Sequence, residues 1–175
     1  MDKGGQMIRF ILTDIEGTTT DIAFVHKVLF PYSAERLAAF VAEHAQDSNV
    51  RAALALWIAA GIAVGIYSTG SVQAQKLLFQ YSVAGDLTPY FSHYFDTNVG
   101  GKKESNSYRT IAQQLQLPAE SILFLSDVEA ELDAAAEAGL QVTQLVREGT
   151  IPSSKYPTAA SFAEINPVAM ANTAV

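Results

Sequence analysis

Short apolar runs alternate along this chain with stretches of helical periodicity, and three of those runs end abruptly in polar or acidic residues. Such alternation constrains the fold strongly. A parallel strand can reach its neighbour only through a crossover, usually a helix, so the pattern implies a mostly parallel sheet covered on both faces. Predicted strands are Ile8–Thr13, Ile62–Tyr67, a very short one at Tyr94–Asp96, Ser121–Ser126 and Gln141–Val146. Predicted helices fall between them. Val25–His44 places Val28, Leu29, Leu37, Phe40 and Val41 on one face, and Val50–Ala60 ends at Gly61 after the polar turn Gln46–Asn49. Ser71 caps a helix to about Tyr81, with Gln73, Gln75 and Lys76 suited to its exposed side. Glu104–Leu115 stops ahead of Pro118, and Glu129–Ala138 closes at Gly139. The expected fold is α/β, a doubly wound sheet in one domain across residues 1–175, with a loose tail over 166–175.

Composition narrows the function classes. Apolar residues make up 49% and charged residues 17% of the chain, which favours a packed globule over disorder. The net charge of −7 argues against nucleic acid or an anionic membrane as a general partner, because both select a basic face. Ala52–Tyr67 is the longest apolar-rich segment, and it is too short for a membrane span. The first residues do not read as a signal peptide, and cysteine is absent, so a reducing cytoplasm is the expected setting.

Four places could carry chemistry. They are Asp14 and Glu16 after the first strand, Ser68-Thr69-Gly70 after the second, Lys102 or Lys103 in a glycine-rich loop, and Asp127 followed by Glu129, Glu131 and Asp133. Each has a plainer reading when taken alone. An acid after a strand is more often a turn former, and Ser-Thr-Gly-Ser is more often a cap. Adjacent lysines usually form a solvated surface, and acids in a first helical turn usually face the helix dipole. Their order changes the balance. A phosphoryl-transfer site needs a nucleophile, a hydroxyl for the phosphate oxygens, a cation against the anion and carboxylates for Mg²⁺. The chain supplies these in turn at strand ends that converge on one crevice of a doubly wound sheet.

This ordered set resembles the haloacid-dehalogenase-like phosphatases. Asp14-Ile15-Glu16-Gly17-Thr18-Thr19 is a narrower form, since most of that superfamily has a second aspartate where this chain has Glu16. With Leu29-Phe30-Pro31-Tyr32, Tyr67-Ser68-Thr69-Gly70-Ser71, Tyr94-Phe95-Asp96-Thr97 and Phe124-Leu125-Ser126-Asp127-Val128, it is similar to the acireductone synthase family. Those are the bifunctional enolase-phosphatases of methionine salvage, which enolise and dephosphorylate 2,3-diketo-5-methylthiopentyl-1-phosphate. The resemblance implies that Asp14 attacks phosphorus and forms an aspartyl-phosphate, and that Glu16 is the acid and base. It implies that Ser68 and Thr69 bind the transferring phosphate, and that Lys102 neutralises it, with Lys103 as the alternative register. It further implies that Asp14, the Glu16 carbonyl and Asp127 hold Mg²⁺, and that Glu131 orients the metal's waters. A small phosphorylated metabolite would be the partner molecule.

One departure stands out. Family members carry a helical cap between the first two motifs, yet only 54 residues separate Asp14 from Ser68 here. A loop, two helices and a strand use most of that span, so an independent cap of about 50 residues or more does not fit. The expected break lies near residues 46–50. Without a lid the site is open to water and substrate-positioning groups are fewer. Phosphate-ester hydrolysis is then expected to survive in weakened, less selective form. Self-association over the uncovered surface is a further expectation. Two other readings keep the same fold: a receiver-like phosphoacceptor module and a catalytically silent scaffold. Receivers carry their phosphorylated aspartate after the third strand, which disfavours the first of these. Trp57 reads as core, and the widely spaced His26, His44 and His93 as packing or surface residues.

Overall fold

The computed structural model describes residues 7–15, 18–19, 48–82, 85–147 and 149–167. Six parallel strands form one sheet in the order β3-β2-β1-β4-β5-β6. They are β1 (Phe10–Thr13), β2 (Ala63–Tyr67), β3 (His93–Phe95), β4 (Ile122–Ser126), β5 (Gln141–Leu145) and β6 (Thr158–Ala159). Among the described residues four α-helices accompany them: α1 (Ser48–Ala59), α2 (Val72–Gln80), α3 (Ser105–Leu115) and α4 (Glu129–Glu137).

Side chains alternate across a strand, so each strand feeds two cores. Ile11, Val64, Ile66, Leu123, Leu125 and Leu145 pack on one face with Leu54 and Trp57 of α1 and Phe79 of α2. Phe10, Leu12, Tyr67, Ile122, Phe124 and Val142 pack on the other with Tyr108 and Ile111 of α3 and Leu132 of α4. Helices therefore cover both faces, as the doubly wound reading requires. A glycine is normally unfavourable within a strand. Gly65 is explained by its neighbour, because a Cβ there would lie 2.6 Å from the Phe10 ring.

Chain order reverses beside β1, which has β2 on one side and β4 on the other. The register sets Thr13 opposite Ile66 and Leu125, so the residues after β1 and β4 leave the sheet side by side. This is the switch point at which open α/β sheets bind ligands.

Several elements depart from the sequence reading. The helix predicted at Val50 begins at Ser48, so the second half of the predicted turn belongs to α1. Strand β6 was not predicted. It has two residues, too few to show a period, and follows Pro157, whose carbonyl accepts a bond from Gln144 N–H at 2.8 Å. The segment after it is anchored: Phe162 is fully buried 5.3 Å from Trp57, and Trp57 Nε1 donates to the Ile165 carbonyl at 3.3 Å. Gln75 is a correction, since it is buried rather than exposed. Its amide donates to the carbonyls of Gly70 and Phe95 at 2.7 and 2.9 Å, which makes burial of a polar side chain tolerable. The predicted Val25–His44 helix, His26 and His44 lie outside the described residues, as does most of the 166–175 tail. Among the described residues no helix is long and apolar enough to cross a membrane.

Candidate active site

Asp14 is the first residue past β1. Its N–H donates to the Leu125 carbonyl of β4 at 2.9 Å, which extends the ladder by one residue and fixes where the side chain leaves the sheet. The residue is only 3% exposed. Its Oδ1 accepts two bonds, from Ile15 N–H at 2.7 Å and from Lys102 Nζ at 2.6 Å. Beyond it, Thr18 and Thr19 N–H both donate to the Ile15 carbonyl, at 3.3 and 2.9 Å. Thr18 is buried, and its Oγ1 accepts a bond from Asp127 N–H at 3.1 Å. The loops after β1 and β4 are thus tied together. Two residues from β5 onward tighten this arrangement. Arg147 donates to the Thr18 carbonyl at 3.0 Å, and the Gln144 amide donates to the Asp127 carbonyl at 3.0 Å.

Lys102 is 7% exposed and bridges two acids. Its Nζ lies 2.6 Å from Asp14 Oδ1 and 2.8 Å from Glu131 Oε2. Glu131 also accepts from Ser126 Oγ at 2.9 Å, and Ser126 Oγ accepts from Val128 N–H at 3.1 Å. Serine, glutamate, lysine and aspartate therefore form one buried chain across the ends of β4 and β1. Burial pushes the Asp14 carboxyl up, with Lys102 opposing and Glu131 adding, to about 7. Burial pulls the Lys102 ammonium down, but its two carboxylate neighbours more than offset this and hold it above the ordinary lysine value.

The second motif lies at the end of β2. Ser68 is buried, its N–H donates to the Phe95 carbonyl at 3.2 Å and its Oγ accepts from Gly70 N–H at 3.2 Å. Thr69 is exposed between them. Gln75 and Asp96 brace this loop from below: Gln75 holds the Gly70 carbonyl, and Asp96 Oδ2 accepts from Val72 N–H at 3.4 Å.

The geometry thus brings together Asp14, Lys102, Glu131 and the Asp127 loop. It also separates the two lysines, because Lys103 is exposed while Lys102 is buried on Asp14. Glu131 Oε2 is engaged by both Lys102 and Ser126. Glu16 lies outside the described residues. The sequence reading missed Ser126, Gln144 and Arg147 as parts of the site. Of these, only Ser126 carried a signal, as a polar residue closing an apolar strand.

The donor set can be tested against Mg²⁺. The carboxylates that follow β1 and β4 are oxygen donors on adjacent strand ends. Asp14, Lys102 and Glu131 together carry a net negative charge when ionised. Mg²⁺ is a hard cation that takes one or two carboxylates, substrate oxygens and waters, so this set fits it. Among the described residues no three acidic or histidine side chains form a metal cage.

A buried aspartate stands at the switch point of a doubly wound sheet, gripped by a lysine from a later loop, which is the arrangement expected from the resemblance to haloacid-dehalogenase-like hydrolases. Sequence comparison agrees: the profile of the haloacid dehalogenase-like hydrolases matches residues 32–139. Enolase-phosphatase E1 of Pectobacterium atrosepticum is 41% identical, with 91% of this chain and 97% of the relative covered. Enolase-phosphatase E1 of Methylococcus capsulatus is 39% identical over 92% and 99%. Among solved structures, the UTR4 protein of Saccharomyces cerevisiae superposes with a TM-score of 0.70 at 30% identity, covering 90% of this chain and 100% of that one. The chain belongs to the enolase-phosphatase E1 family of haloacid dehalogenase-like hydrolases and is a phosphatase. The Pectobacterium alignment runs over 223 positions against the 175 residues of this chain, so that relative carries residues this chain lacks.

Proposed function

We propose that this chain hydrolyses small phosphate monoesters through an aspartyl-phosphate, as the lidless core of a methionine-salvage enolase-phosphatase. The observation that carries this reading is the 2.6 Å contact between the buried Lys102 Nζ and Asp14 Oδ1 at the strand ends. Asp14 attacks the phosphorus, the ester oxygen leaves with a proton from Glu16, and the phosphoryl group rests on Asp14. Water then attacks that phosphorus, Glu16 takes the proton back, and inorganic phosphate leaves. An anionic nucleophile approaching an anionic ester meets repulsion that a nearby ammonium offsets. Lys102 supplies that ammonium, and Glu131 orients it. Ser68 and Thr69 hold the transferring phosphate. The Asp14 carboxylate, the Glu16 carbonyl and Asp127 would hold Mg²⁺, which supplies charge neutralisation on the phosphoryl oxygens when bound. The cytoplasm is the proposed location.

The alignment overhang supports the view that the residues missing here are the helical cap between Asp14 and Ser68. Binding energy from remote parts of a substrate is what raises turnover on that substrate. With the lid absent, dephosphorylation persists and enolisation of the diketo compound falls. Mg²⁺-dependent phosphate release should therefore be compared between the diketo phosphate and an aryl phosphate. The expected kcat/KM values lie within about tenfold of each other. Full turnover with high selectivity for the diketo phosphate would sink the lidless reading.

Surface left bare by a missing lid favours self-association. Light scattering over a concentration series is expected to show a mass that rises above 18.8 kDa. A constant monomer mass counts against it.

A further inference from the structure

Three hydroxyl groups converge on the loop that carries Lys102. Tyr67 Oη donates to the Gly100 carbonyl at 2.8 Å, Ser107 Oγ to the Gly101 carbonyl at 2.8 Å, and Tyr108 Oη to the Lys102 carbonyl at 2.6 Å. Three successive carbonyls are each held by a side chain outside the loop, one from β2 and two from the helix that follows. All three donors are buried, the two tyrosines completely and Ser107 to 1% exposure. Tyr67 is the last residue of β2, one position before Ser68, while Ser107 and Tyr108 belong to the start of α3.

The rings that carry the phenols are themselves locked. Tyr67 meets Tyr108 edge-on at 5.5 Å, and Tyr108 meets Phe124 of β4 edge-on at 5.0 Å. One packed row therefore runs from the strand leading to Ser68, through Tyr108 of α3, which holds the lysine loop, to the strand leading to Asp127. The loop also has no slack. Gly100 adopts φ 128°, a region that favours glycine, and a Cβ there would run into Ser107 Oγ.

A lysine side chain has four rotatable bonds, and its ammonium finds one partner atom reliably only if its backbone is fixed. We infer that Tyr67, Ser107 and Tyr108 are positioning residues, whose hydroxyls hold residues 100–102 so that Lys102 Nζ meets Asp14 Oδ1 in the geometry phosphoryl transfer requires. This rests on the roles of Asp14 and Lys102 proposed above. The plainer alternative is that the hydroxyls only satisfy buried carbonyls. That alternative predicts lower stability with unaltered chemistry in whatever protein folds.

The two are separable with the full chain, Mg²⁺ and an aryl phosphate. Tyr108→Phe and Tyr67→Phe keep the rings and remove only the hydroxyls. For folded Tyr108→Phe, kcat is expected to fall about tenfold with KM within about twofold of wild type, because misplacement by a fraction of an ångström acts on the reacting geometry. Tyr67→Phe should show the same split, with a smaller loss. Combined with Lys102→Met, the Tyr108→Phe change should cost nothing further, since its effect passes through the lysine. Wild-type kcat in folded Tyr108→Phe and Tyr67→Phe overturns the inference, as does a full additional loss in the Lys102→Met background. Where Tyr108→Phe does not fold, Tyr67→Phe and Ser107→Ala decide the matter by the same kcat and KM criteria. Asp14→Asn serves as the control. If it is as active as wild type, the phosphatase mechanism and this inference fall together. If it is inactive while both Tyr→Phe proteins match wild type, this inference falls alone.

Discussion

Asp14→Asn is expected to lower Mg²⁺-dependent phosphate release by on the order of 10⁴-fold, the scale on which loss of a nucleophile removes covalent catalysis. The substitution is nearly isosteric. The amide oxygen can still accept from Ile15 N–H and Lys102, the two donors on Asp14 Oδ1. What disappears is the charge and the electron pair that would form the bond to phosphorus. The fold should survive, and the sign of the stability change with pH checks the environment as well as the role. Burial raises the Asp14 carboxyl to about 7, above its ordinary value of 3.8. A carboxyl raised in this way binds its proton more tightly in the folded state than in the unfolded one. Its favourable contribution is complete below pH 3.8 and is lost as pH rises through about 7. Asparagine mimics the protonated form at every pH. The thermal midpoint of Asp14→Asn relative to wild type should therefore climb between pH 5 and pH 8 in Mg²⁺-free buffer. Activity assays and melting curves on the same samples check both statements. Wild-type turnover in the variant, or a relative midpoint that falls across that range, would contradict them.

How much of this was readable beforehand depends on what kind of signal each residue leaves. Strands β1 and β4 were plain, because Phe10–Thr13 and Ile122–Ser126 are buried at every position and read as continuous apolar runs. Asp14 and Asp127 followed from them, since an acid that stops such a run marks the end of a strand. The choice between Lys102 and Lys103 could not be made from spacing alone. It turns on the bend at Gly100, where φ is 128°, and on α3 beginning at Ser105, which together bury one lysine and expose the next. Gln75 misled because a glutamine in a helix usually faces water, and nothing local announces two carbonyls waiting at its amide. Tyr108 lies inside the predicted helix Glu104–Leu115, and nothing local marks it out. Its hydroxyl matters only through the loop it meets, a tertiary fact with no sequence period. The same holds for β6, whose pairing with β5 is set by where the chain returns after Arg147.

Lys102→Met is the second large effect, and it should act on activity and stability together. The lysine is the cation held between Asp14 Oδ1 at 2.6 Å and Glu131 Oε2 at 2.8 Å, in a cluster with 10% side-chain exposure or less. Removing it leaves two carboxylates facing each other where water cannot screen them. Breaking a buried pair by deleting one partner typically costs about 3–5 kcal/mol. The carboxylates can escape part of that cost by taking up a proton, so the loss in chemical denaturation should be larger at pH 8 than at pH 5. Methionine fills much of the stem volume, which keeps the effect electrostatic rather than a matter of packing. Phosphatase activity should fall by roughly 10²–10³-fold, in line with the loss of one preorganised charge at the reacting centre. Adding Glu131→Gln tests the assignment most sharply. The double variant has a single buried carboxylate left at this point, so much of the stability should return while activity stays low. Lys103→Met, an exposed neighbour one residue on, should stay within about twofold of wild type in both measurements. A Lys102→Met protein as stable as wild type at pH 8, or a double variant that regains activity, would mean that the ammonium does not bridge the two acids.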